Sequence, residues 1–89
     1  LLVGRTPGKL EALTAELRDS APDGMYVPHV ADATRSADID AAFATAVELF
    51  GSVHGAANFV GSIILKPAHL TTDAELEETL SLNTRSAFY

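Results

Sequence analysis

Leu1-Leu2-Val3-Gly4-Arg5-Thr6-Pro7 opens the chain with the pattern on which its fold turns. Three apolar residues closed by a glycine suit a short buried strand. Thr6 then stands where a helix N-cap belongs. Pro7 follows at the first helical position, where a missing N–H costs nothing. Leu10, Leu13 and Leu17 recur at helical spacing on one face, with Lys9, Glu11, Glu16 and Arg18 outside it. A strand, a tight turn and an amphipathic helix are thus written into the first twenty residues.

The same sentence is repeated downstream. Pro22-Asp23-Gly24 ends the helix, and Met25 to Ala31 predicts a second strand, which Pro28 assigns to an edge. Ser36 reads as the N-cap of a second helix. Its Ile39, Phe43, Val47 and Phe50 fall at i, i+4, i+8 and i+11, with Ala42 and Ala46 in the same stripe and Gly51 as the stop. Val53 to Asn58 predicts a third strand, and its small residues Gly55, Ala56 and Ala57 suit something packed close against it. A loop from Phe59 to Thr71 leads to Thr72 and Glu75, spaced as a capping box, and to a last helix whose inner face is expected to include Leu76, Leu80 and Ala87. The order β-α-β-α-β-loop-α, with crossovers this long, demands parallel pairing: an α/β, doubly wound architecture.

At 89 residues the chain is one small domain at most, and 47% hydrophobic residues are too many for intrinsic disorder. Twelve acids against six bases give a net charge of -6, which offers no electrostatic footprint for nucleic acid or for a membrane surface. No apolar run approaches the roughly 20 residues of a membrane span. The absence of cysteine excludes disulfides and thiolate metal sites and fits a reducing, cytoplasmic setting. Leu1 stands in a strand pattern and Tyr89 in an apolar helical one, so the expectation is an internal fragment of a longer chain.

In doubly wound folds ligands bind beyond the carboxyl ends of the strands. Three segments lie there: Gly4-Arg5-Thr6, Ala31-Asp32-Ala33-Thr34 and Asn58-Phe59-Val60-Gly61. A cation, a carboxylate and an amide on one rim suit a nucleotide. Singly each is weak: an Arg after a strand is often a solvated loop charge, and an Asp there is often a turn former. His29, His54 and His69 lie in different elements and have no metal-ligand spacing, so no metal site is expected.

Phe50-Gly51-Ser52-Val53-His54-Gly55-Ala56-Ala57-Asn58-Phe59-Val60-Gly61 resembles the stretch ending in Asn-Asn-Ala-Gly of the short-chain dehydrogenase/reductase family. Asn58 matches the first Asn and Gly61 the closing Gly, whereas Phe59, Val60 and His54 depart from the pattern. Leu82-Asn83-Thr84-Arg85-Ser86-Ala87-Phe88 is similar to that family's helix motif, with Asn83 where the family keeps a catalytic Asn that helps hold a water in a proton relay. Asp32 matches the Asp whose side chain and following backbone, here Ala33, meet the adenine ring. The resemblance runs through almost the whole chain. It implies that residues 1–89 span a single NAD(P)-binding Rossmann domain from its second strand through the helix carrying Asn83.

Several expectations follow from that resemblance. Arg5, in the position where a carboxylate would accept the ribose 2′-hydroxyl, can pair with a 2′-phosphate, and Thr6 can add a hydroxyl; NADP(H) is therefore favoured over NAD(H). Asp32, Ala33, Asn58 and Gly61 complete the cofactor-binding set. The family's Gly-rich loop and Tyr-x-x-x-Lys segment are not among these residues, and no Lys follows Tyr89, so the fragment alone is expected to be inactive. The implied activity is hydride transfer between nicotinamide and an alcohol/carbonyl or enoyl-type small-molecule substrate, in a homo-oligomer, dimer or tetramer. The alternative is a nucleotide-binding Rossmann protein without catalysis, acting as a sensor or scaffold.

Overall fold

Val27 O accepts from Leu2 N at 2.8 Å and Gly4 O accepts from Ala31 N at 3.0 Å, and these two bonds bracket the sheet. In the computed structural model, which describes residues 1–89, β1 (Leu2–Gly4) and β2 (Pro28–Val30) pair in parallel, Leu2 opposite Pro28 and Gly4 opposite Val30. The bonds of β2 towards β1 come from odd-numbered residues, so the nitrogen of Pro28 lies on the outer side. That is where a residue without an N–H is harmless. The second strand is shorter than the apolar run from Met25 to Ala31.

Between the strands, α1 (Pro7–Ser20) packs on both. Gly4 allows the close return: a Cβ there would sit 3.3 Å from Leu10 Cδ2. Leu10 and Thr14 are the buried residues of the helix, and the Thr14 hydroxyl is satisfied by donating to Leu10 O at 2.7 Å. The next helix, α2 (Ser36–Phe50), begins one residue earlier than its capping signal suggests, with Arg35 as N-cap and Ser36 already helical. Gly51 ends it at φ 81°, the left-handed region that favours glycine. It buries Ala42 and Ala46, while Phe43 and Val47 of the same stripe stay exposed.

The third predicted strand does not form. Residues 53–58 carry no ladder and are exposed, because a parallel strand exists only through hydrogen bonds to a neighbour, and β1 and β2 pair with each other alone. The remainder of the chain is a 3₁₀ turn at Ala68–Leu70, then α3 (Asp73–Leu80), a π-turn at Ser81–Arg85, and the short α4 (Ser86–Phe88). The capping box at Thr72 and Glu75 is present in full. The inner face of this helix is not the expected one. Leu76, Leu80 and Ala87 are exposed, and Glu75, Thr79, Leu82 and Ser86 turn inwards. The neighbour on that side is an irregular backbone that needs hydrogen-bond partners, and the π-turn advances the residues after it by one position.

The radius of gyration, 15.6 Å, exceeds the roughly 12 Å of a compact domain of this length, and the long axis reaches 51 Å. The result is a partial Rossmann-type α/β arrangement with a small parallel sheet. No helix is long and apolar enough to cross a membrane.

Candidate functional site

The residues singled out by sequence fall into two groups. In the first, Arg5 leaves the end of β1 and Asp32 follows the end of β2, one residue beyond the buried Ala31. The parallel register sets these two strand ends side by side. They line a surface depression of about 250 Å³ together with Val30, Ala31 and Asp38. Asp32 is held by an Asx-type turn: its Oδ1 accepts from Thr34 N at 2.9 Å and from Thr34 Oγ1 at 2.7 Å. Its own N–H donates to Asp38 Oδ2 at 2.9 Å. The hydrogen bonds from the Thr34 backbone and hydroxyl hold the Asp32 carboxyl below its ordinary range, with Arg5 and Arg35 adding smaller electrostatic support. Asp32 is therefore an ionised acceptor whose Oδ2 takes no bond from the chain.

What this rim leaves unpaired is informative. Arg5 makes no ion pair; the three that form are Arg35–Asp38, Lys66–Glu75 and Arg85–Glu77. Thr6 is the N-cap of α1 as expected, yet its hydroxyl makes no capping bond. The Ala33 N–H donates to no group of the chain. The lining residues Arg5 and Asp32 leave a guanidinium and a carboxylate oxygen unpaired, and their chain neighbours Thr6 and Ala33 leave a hydroxyl and an N–H unpaired, donors and acceptors suited to a phosphate and an amine. Thr34 and Asp38 are the members that the residue-by-residue reading passed over. The Asp-x-Thr spacing at 32–34 was the signal for the first; nothing local signals the second.

The second group meets across the last helix. Asn58 closes an Asx-type turn, its Oδ1 accepting from Val60 N at 2.8 Å, and reaches Ser86 Oγ at a long 3.5 Å. Asn83, inside the π-turn, engages both of its donors and one lone pair with the chain. Its Oδ1 accepts from Ser62 N at 3.0 Å, and its Nδ2 donates to Ser62 O and to Thr79 O, each at 3.0 Å. The side chain thus pairs with Ser62 as a neighbouring strand would. Gly61 leaves room for that contact: a Cβ there would lie 2.9 Å from Asn83 Oδ1, and the amide would have to shift. Asn58, Gly61 and Asn83 are accordingly one cluster, with Ser62 and Thr79 as partners that spacing alone did not reveal. One lone pair of Asn83 Oδ1 remains open.

No group of His, Cys, Asp and Glu side chains is arranged to hold a metal ion. None of the curated proteins matches the chain. A family model described as short chain dehydrogenase matches residues 1–89.

Proposed function

Because the chain belongs to the short-chain dehydrogenase family, we propose that residues 1–89 are part of an NADP(H)-preferring oxidoreductase acting on an alcohol/carbonyl or enoyl-type small molecule. The observation that carries the cofactor reading is the unpaired Arg5 guanidinium beside the depression that Asp32 lines. Arg5 and the Thr6 hydroxyl would hold the 2′-phosphate, and Asp32 Oδ2 with the Ala33 N–H would meet the amine and ring edge of the adenine. Asn58 and Gly61 shape the turn beside the ribose. Bound there, the dinucleotide supplies or takes up the hydride, and the chain supplies position.

Asn83 serves in this reading mainly as a brace. Both of its donors are engaged with backbone carbonyls, so its contribution to proton delivery is confined to the open lone pair of Oδ1, which can accept from a water. Assembly of the enzyme as a homo-oligomer and residence in the cytoplasm belong to the same proposal.

The test is the ratio of NADPH to NADH affinity in the enzyme that carries these residues. A charge-assisted bond to phosphate contributes about 1.5–3 kcal/mol, so Arg5→Ala is expected to lower that ratio by roughly 10- to 100-fold. An unchanged ratio sinks the 2′-phosphate role of Arg5.

A further inference from the structure

The loop that Asn83 grips is tied to the same helix a second time. Lys66 Nζ donates to both Oε1 and Oε2 of Glu75, each at 2.9 Å. Glu75 is already fixed by the capping box: its Oε2 accepts from Thr72 N at 2.8 Å and from Thr72 Oγ1 at 3.1 Å, while its N–H donates to Thr72 Oγ1 at 3.3 Å. The lysine therefore meets a carboxylate whose rotamer is set before it arrives. An exposed ion pair ordinarily loses most of its value to ordering two free side chains. Here one of the two is ordered in advance, and the two side chains keep 34% and 31% exposure.

The placement of the two ties relates them. Glu75 and Asn83 are eight residues apart on the helix, about 12 Å of rise. Their partners Lys66 and Ser62 are four residues apart on the loop, which span at most about 14 Å. The loop thus runs antiparallel to the helix, pinned at Ser62 by an amide and at Lys66 by an ion pair, with only Ile63, Ile64 and Leu65 between. We infer that Lys66 is a positioning residue: by clamping the loop to Glu75 it holds Ser62 and Gly61 against the Asn83 amide. This rests on the oxidoreductase reading only where it touches turnover, since the coupling of the two ties is a property of the chain itself.

Lys66→Met is the probing variant because it leaves the Thr72–Glu75 capping box intact. In the enzyme that carries these residues it is expected to speed hydrogen exchange at the Ser62 amide by about 3- to 5-fold, the loss of one favourable ion pair. It is also expected to lower kcat by roughly the same factor with KM for the dinucleotide unchanged, since Lys66 acts through Asn83. Lys66→Arg, which keeps the charge and the reach, should restore both. Glu77→Gln removes the comparable Glu77–Arg85 pair, which ties the helix only to itself, and should leave Ser62 exchange unchanged. Unaltered Ser62 exchange in Lys66→Met overturns the clamp, and faster exchange with unaltered kcat overturns its part in positioning. A protein that turns over no dinucleotide refutes the oxidoreductase reading, and Ser62 exchange then decides the clamp alone.

Discussion

Residues 1–50 and residues 51–89 build their halves of the site by different means. In the first half, placement comes from the backbone: two strands in parallel register bring Arg5 and Asp32 to one rim, and α1 is held on them by Leu10. In the second half no ladder exists, and placement comes from side chains bonded to backbone: Asn58 to Val60, Asn83 to Ser62, Thr72 to Glu75. The first mode is cooperative and rests on burial. The second is a set of local bonds, each of modest value, and keeps its geometry without a neighbouring strand. Two groups of candidate-site residues can therefore be positioned by separate means along one chain.

The sharpest way to break the comparison is Leu10→Ala. Truncating this buried side chain should cost about 2–5 kcal/mol in denaturant unfolding of the enzyme that carries it. Amide exchange should quicken first at β1, β2 and α1, and Ser62 should be spared until global unfolding. Early loss of Ser62 protection would show the two halves to be one cooperative unit. Next in size is Asn83→Ala, which removes three hydrogen bonds and is expected to cost roughly 1–3 kcal/mol. Ser62 should lose its protection and kcat should fall, with exchange at Leu2 and Ala31 unaltered. Retained protection at Ser62 would mean that the loop is held by something other than the amide.

The smallest effect is one of pH. The Thr72 N–H and the Lys66 ammonium lower the Glu75 pKa from 4.5 to about 2. A depressed folded-state pKa stabilises the folded form above the unfolded value and ceases to do so as pH falls through the folded one. The N-terminus of α3 is therefore expected to be intact above pH 4.5 and to fray as pH falls towards 2, read as Thr72 amide exchange corrected for its intrinsic rate. Glu75→Gln should abolish that pH dependence. If the dependence persists in Glu75→Gln, another group governs the helix start.

Sequence patterns revealed the parts of the fold that are set locally. The helix starts at Pro7 and just after Thr72, the stop at Gly51 and the edge placement of Pro28 each follow from the chemistry of one or two residues. Sequence also indicated Arg5 and Asp32 as rim residues, because parallel strands end on one side. What it missed is set by neighbours. The small apolar run from Val53 to Asn58 has a strand's composition, but pairing depends on a partner that composition does not supply. The inner face of the last helix was misread for a related reason. An apolar stripe through Leu76 and Leu80 presumes an apolar surface opposite, whereas Asn83 meets the polar backbone of Ser62 and Ser86 meets the Asn58 side chain. The Lys66–Glu75 tie was hidden because Glu75 already had a sufficient explanation as a capping residue.

The π-turn at Ser81–Arg85 has a genetic consequence. It amounts to one surplus residue in an otherwise regular helix, so loss of a single codon within it would restore the ordinary winding. Every side chain beyond the deletion would then swing by about 100° around the helix axis. A lineage that lost codon 81, 82 or 83 would retain its helix and its sheet, yet present a different side chain to Ser62. Among descendants of such a gene, a gap of one residue in this turn would mark copies that kept the fold while changing what they do.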